Sequence, residues 1–195
     1  MWHQAESELL FGVAVLLGGA EVQLPLIYDV KSPDFIADFR TLRYSVEVKR
    51  PSSSKKVARK ISSAANQIAS FQNQPAVIAV DLTDVLNANI ENGNPDQLLS
   101  SLDMRLEEMH VAAIRQINRN TRRPGFSRVA LLIFYARIIV WQRIRDCWGP
   151  SFGLVLRGKL FEGACSGVLA DGPGRFLQGI IHGFERVAGG KVWRY

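Results

Sequence analysis

Two alternating runs separated by only three residues constrain this chain more than any other feature. Residues 34–40 read DFIADFR and residues 44–50 read YSVEVKR. In the first run Phe35, Ala37 and Phe39 fall on one side and Asp34, Ile36 and Asp38 on the other. In the second, Val46 and Val48 oppose Ser45, Glu47 and Lys49. A period of two marks a strand with one buried face. With only Thr41, Leu42 and Arg43 between them, the strands must pair antiparallel, because a parallel return needs a much longer crossover. Folding about Thr41 and Leu42 sets Asp34 opposite Lys49 or Arg50, and Glu47 opposite Ile36 or Ala37. Cross-strand and diagonal neighbours lie roughly 5–8 Å apart at Cβ. The hairpin therefore predicts that Asp34, Glu47 and Lys49 converge on one face, with Asp38 nearer the turn.

The flanking segments extend this unit. Residues 6–17 predict a helix that Gly18 and Gly19 end. AEVQLPLIY, residues 20–28, reads as a first strand in which Pro25 marks an edge or irregularity. Ser54 is placed to cap a helix over residues 55–71, whose apolar stripe is Ile61, Ala64, Ala65, Ile68 and Phe71. PAVIAVDL, residues 75–82, is nearly all apolar, as a central strand covered on both faces must be. Helix, three strands, helix, strand predicts an α/β fold with a mixed sheet and helices on both faces.

Further on, residues 87–97 read as a loop and residues 98–118 as a long helix. NRNTRRPGFSR, residues 118–128, reads as a basic loop. Strands follow at 129–140 and 152–160, and a helix at 175–187. No internal repeat or linker interrupts the 195 residues, which predicts one domain: a core over about 5–85 and a C-terminal elaboration over about 86–195.

Composition narrows the partners. An apolar fraction of 47% with 22% charged residues is that of a folded chain. A net charge of +6 and a pI near 9.6 favour a polyanion, nucleic acid first. Cys147 and Cys165 make no CxxC pair, so a reducing, cytoplasmic setting is expected. Residues 9–17 are apolar, but Glu6 and Glu8 precede them where a signal peptide needs basic residues. Residues 129–141 are too few to span a bilayer and contain Arg137. No membrane partner is expected.

The hairpin face carries the chemistry. Two carboxylates this close repel unless a cation lies between them. Mg²⁺ takes oxygen ligands and is commonly held by one or two carboxylates together with phosphate and water. Asp34 and Glu47 are the candidate ligands, with the Val48 backbone carbonyl as a further oxygen. Lys49 beside them would orient a water and offset transition-state charge. These parts suit phosphodiester hydrolysis. Arg50, Lys55, Lys56, Arg59 and Lys60 follow at once and suit phosphate contacts, which give affinity without sequence specificity. Arg115, Arg119, Arg122, Arg123 and Arg128 suggest the same more weakly. The plainer reading of each is a solvated polar face.

Pro33-Asp34 followed by Glu47-Val48-Lys49 resembles the PD-(D/E)xK nuclease superfamily, the restriction-endonuclease-like fold. The element order over about 5–85 is similar to that family's core. The resemblance implies a three-layer α/β/α architecture and a Mg²⁺-dependent deoxyribonuclease, with Mn²⁺ as a substitute. It implies catalytic Asp34, Glu47 and Lys49. It adds a glutamate on the first helix ahead of a glycine, met by Glu8, with Glu6 its competitor. It also adds Gln67 on the helix after the third strand, where QxxxF with Phe71 replaces the family's QxxxY. Cutting both strands of a duplex would call for a homodimer. The alternative is an inactive nuclease-fold protein that binds nucleic acid or a protein partner.

Other chemistries fit less well. GACSG, residues 163–167, has the spacing of a nucleophile elbow on Cys165, with Asp171 and His182 after it. About thirty glycine-rich residues remain beyond it, too few to build the rest of such a site, and a buried structural cysteine is the plainer reading. His3, His110 and His182 are scattered, which gives a zinc site no support. No GxxxxGK[ST] phosphate loop occurs.

Overall fold

The computed structural model describes residues 2–25, 32–70, 74–87, 95–144, 147–161, 172–188 and 192–194. The alternating segments form the sheet on which these residues are built. In chain order the elements are α1 (Trp2–Leu17), β1 (Glu21–Gln23), β2 (Phe35–Phe39), β3 (Leu42–Lys49), α2 (Ser54–Ile68), β4 (Ala76–Asp81) and α3 (Thr83–Asn87). They continue with α4 (Pro95–Arg119), α5 (Pro124–Ser127), β5 (Val129–Ile144), β6 (Cys147–Leu160), α6 (Gly172–Val187) and β7 (Val192–Arg194). The strands make one open mixed sheet whose spatial order is the chain order, β1 to β7. β3, β4 and β5 run parallel to one another, as do β6 and β7. The remaining neighbours are antiparallel.

Alternation sorts the core into two clusters. On one face Val46, Val48, Val77, Ala79 and Ile133 pack with Phe11, Ala14 and Val15 of α1 and with Phe176, Ile180 and Phe184 of α6. On the other, Ile78, Val80, Leu132 and Phe134 pack with Ile61 and Ala65 of α2 and with Leu106, Ala113 and Ile117 of α4. All six residues of β4 are buried, as a strand covered on both faces requires. Fully burying a side chain such as Phe11 is worth about 2–3 kcal/mol.

α1 stops where its glycines stop it. Gly19 takes φ 92°, its N–H reaches Leu16 O at 3.0 Å, and Ala20 N–H reaches Val15 O at 3.3 Å. These are the two bonds of a Schellman cap. α6 then crosses α1 so closely that a Cβ on Gly183 would lie 1.7 Å from Ala14 O.

Several expectations need correction. The β2–β3 hairpin turns on Arg40 and Thr41, not on Thr41 and Leu42: Phe39 pairs with Leu42, and Arg40 takes φ 57°. The register is therefore Phe35↔Val46 and Ile36↔Ser45, so neither Ile36 nor Ala37 lies opposite Glu47. Asp34 sits beside Val46 and Val48 rather than opposite Lys49 or Arg50. The turn carries no glycine or asparagine to mark it, and Leu42 and Arg43 join the strand. The first strand is three residues long, with Leu24 and Pro25 outside it, and residues 26–31 lie outside the described ones.

α2 begins at Ser54 with Ser53 in the cap position, and no side-chain cap bond forms. Phe71 lies outside the described residues. α5 lies within the segment expected to be a basic loop, α4 begins at Pro95 inside the loop expected over 87–97, and α3 and the edge strand β7 fall where no element was expected. No helix of the described residues is long and apolar enough to cross a membrane.

Candidate active site

The site forms at the carboxyl end of β3, where the chain leaves the sheet toward α2. The open end of a parallel pair is where α/β proteins commonly bind ligands. Alternation sends Val46 and Val48 into the α1–α6 core and leaves Glu47 and Lys49 on the other side. Glu47 is fully buried and Lys49 is 8% exposed. Lys49 Nζ lies 2.5 Å from Glu47 Oε2 and 3.5 Å from Asp34 Oδ2. Asp34 is anchored as well as paired, since its Oδ2 accepts the Val48 backbone N–H at 2.7 Å. The three residues that the hairpin was expected to bring together are in contact, although by a different register.

Glu8 of α1 completes the group. It interacts electrostatically with Asp34, Lys49 and Glu47, and it borders the same cleft of about 450 Å³ as Lys49, Lys60 and Gln67. Glu6, its competitor, turns away to ion pairs with Arg137 and Arg50. Lys60 and Gln67 reach the cleft from α2, which faces the end of β3. Lys55, Lys56 and Arg59 lie on the exposed side of that helix. Arg50 departs from the expected phosphate contact. Its side chain is 6% exposed, bonds both Asp84 oxygens at 2.6 and 2.8 Å, and reaches Glu6 Oε2 at 3.1 Å.

Electrostatics distinguish the members. Burial, then the nearby Asp34 charge, pushes the Glu47 carboxyl up to about 8. Burial also raises Glu8, with Asp34 adding to the rise and a hydrogen bond from Gln4 opposing it. Burial works against the Lys49 ammonium, but Glu47 and Asp34 outweigh it and hold its pKa above the usual lysine range. The group is thus rich in carboxylate and short of positive charge. Glu47 Oε1 is buried with no hydrogen-bond partner. An oxygen in that condition, beside a second carboxylate, fits a hard cation such as Mg²⁺. Among the described residues no three His, Cys, Asp or Glu side chains form a ready-made metal cluster. The fit rests on the Asp34–Glu47 pair, within the one or two carboxylates that Mg²⁺ commonly takes.

Gln4 was not singled out from the sequence, yet it holds the rim together. Its Nε2 donates to Glu8 Oε1 at 2.8 Å and to the Val48 carbonyl at 2.6 Å, and its Oε1 accepts the Arg50 backbone N–H at 3.0 Å. The Val48 carbonyl, expected to face a metal, is engaged by this amide. Position i and i+4 on one helix is the only sequence signal that ties Gln4 to Glu8.

A second missed cluster lies alongside. Asp81, fully buried at the end of β4, accepts from Ser7 Oγ at 2.7 Å, Thr83 N–H at 2.9 Å and Thr83 Oγ1 at 2.5 Å, with Arg137 at 3.4 Å. Of the rival features, Cys165 and Asp171 lie outside the described residues. His182 is exposed beside Glu185, and His110 is buried against the Phe134 ring. Set beside known proteins, the chain matches no family model, no curated protein and no solved structure.

Proposed function

We propose that this chain is a metal-dependent nuclease that hydrolyses phosphodiester bonds, with DNA as substrate, on a three-layer core of the restriction-endonuclease-like kind. The carrying observation is the contact of Asp34, Glu47 and Lys49 at one strand end, with the buried Glu47 Oε1 unpartnered. Asp34 and Glu47 would hold Mg²⁺ or Mn²⁺, with Glu8 and the Val48 carbonyl on the same rim. When bound, such an ion polarises a phosphate oxygen and lowers the pKa of a water. Lys49, whose pKa is held high, serves as a donor and a positive charge, not as a proton acceptor. It orients the attacking water and offsets charge that builds on the phosphate oxygens. Lys60 and Gln67, across the cleft, supply donors for the phosphate backbone.

The test is nicking of supercoiled plasmid with Mg²⁺ or Mn²⁺, beside Glu47→Ala and Lys49→Ala. Each change is expected to slow cutting by about 100-fold or more. Metal-dependent cutting that survives both removes the assignment. One observation favours a second reading, an inactive nuclease-fold protein that binds nucleic acid or a protein partner. Lys49 and Gln4 already engage Asp34, Glu47, Glu8 and the Val48 carbonyl. DNA binding without cutting under either metal would select it.

A further inference from the structure

Aspartate and glutamate are absent from residues 51–80 and again from residues 109–145. The fold puts parts of these two acid-free stretches side by side. Gln116 of α4 donates to Ala58 O at 2.8 Å and to Ser62 Oγ at 2.7 Å on α2. Helical spacing then orders the circumference of α2. Ile61, Ala65 and Ile68 face the sheet, Ala58 and Ser62 face α4, and Lys60 and Gln67 face the cleft. Between the α4 flank and the cleft flank stand Lys55 and Arg59, both exposed. On α4, Arg115 and Arg119 fall on the outward side next to the Gln116 contact, and Arg122 and Arg123 follow in the exposed turn beyond.

None of these six residues pairs with a carboxylate among the described residues. The ion pairs gather instead on Arg43, Lys49, Arg50, Arg137 and Arg157. A surface helix held by solvent alone usually mixes both signs of charge, because i,i+4 pairs of opposite charge stabilise it. Here α2 and the acid-free C-terminal half of α4 present one sign where they pack together, and the stretch of like charge leads from the cleft outward.

We propose that the outer face of α2, the C-terminal half of α4 and the turn after it form a track for a nucleic-acid backbone that carries it to the cleft at Lys60 and Gln67. Phosphate spacing suits a row of exposed guanidinium and ammonium groups, and such contacts position a strand without reading its bases. The choice of partner rests on the nuclease reading, and the surface gives that reading its path of substrate entry.

The experiment is binding of a fluorescent duplex DNA in EDTA, so that no cutting is involved. Arg122→Glu/Arg123→Glu is compared with Arg40→Glu/Arg186→Glu, which changes the charge equally in the β2–β3 turn and on α6. Thermal melting checks that both fold. The first pair is expected to weaken binding about tenfold or more and to flatten the slope of log affinity against log salt by about two. The second pair is expected to change it far less. Equal losses from both pairs would mean net charge alone acts and would overturn the track. So would no loss from either, or a loss confined to phosphatidylglycerol vesicles, which would mark a membrane surface. Binding that needs Arg122 and Arg123 while plasmid stays uncut under any metal removes the nuclease reading and leaves the track. Cutting with unaltered binding does the reverse.

Discussion

Two acidic clusters lie one strand apart at the same end of the sheet, and they are treated in opposite ways. Around Asp81, each carboxylate is supplied with donors. Glu6 has Arg137 and Arg50, Asp84 has both arms of Arg50, and Asp81 has two hydroxyls and a backbone N–H besides Arg137. Hydrogen bonds from Arg137 and Arg50 hold Glu6 and Asp84 below the ordinary carboxylate range. Around Glu47 one ammonium serves three acids. Burial holds Glu8 and Glu47 above that range, and one buried oxygen has no partner. The first cluster ties α1, β3, β4, α3 and β5 into a fixed frame. The second is left short of cation inside that frame. A chain able to compensate one acid group so fully has the means to compensate the next, and the shortfall is the physical ground for reading the second as a site.

The largest expected effect tests the frame. Asp81→Ala strips a fully buried acid from Ser7, Thr83 and Arg137 and leaves the Thr83 N–H and hydroxyl without their acceptor, which is expected to cost about 3 kcal/mol or more. Glu47→Gln, although equally buried, is expected to leave the metal-free protein as stable as its parent or more so above neutral pH. Urea denaturation of both variants decides this. Equal losses would erase the distinction between the clusters.

A smaller effect concerns pH. Folding raises Glu47 from its ordinary 4.5 to about 8. The folded state therefore binds a proton in that window that the unfolded state has released. Stability from this group is fully present below the lower value and is lost as pH rises through the upper one. The decline is at most about 1.4 kcal/mol per pH unit. Denaturation of the metal-free protein at a series of pH values should show it, and Glu47→Gln should flatten it. Adding Mg²⁺ near neutral pH should release protons, as calorimetry in buffers of different ionisation enthalpy would reveal.

The smallest effect belongs to Gln4, the link between the clusters. Its amide holds two oxygens for which a cation would compete, so Gln4→Ala is expected to lower the Mg²⁺ concentration for half-maximal cutting by about fivefold, the worth of one hydrogen bond. A rise in that concentration would make Gln4 a support for the ligands instead.

Much of this site was legible because its signals are local. Period-two alternation in residues 34–50 put Glu47 and Lys49 on one side of a strand, and the short connection brought Asp34 near them. Gly18 and Gly19 marked the end of α1. The turn was misplaced by one residue because Arg40 adopts a positive φ with no glycine or asparagine to announce it. The choice between Glu6 and Glu8 was open, since two residues apart on a helix face different ways and the sequence does not say which way α1 rolls. Arg50 looked like one more basic residue beside a site, and its burial follows from Asp84, 34 residues away.

By itself the sequence determined an α/β chain with a hairpin whose polar edge gathers an acid, a second acid and a lysine, because side-chain alternation is a property of the strand alone. Only the tertiary structure decided which charges are neutralised. Glu6 meets Arg137 across 131 residues and Ser7 meets Asp81 across 74, and pairings of that span depend on how helices lie on the sheet, which no local pattern encodes.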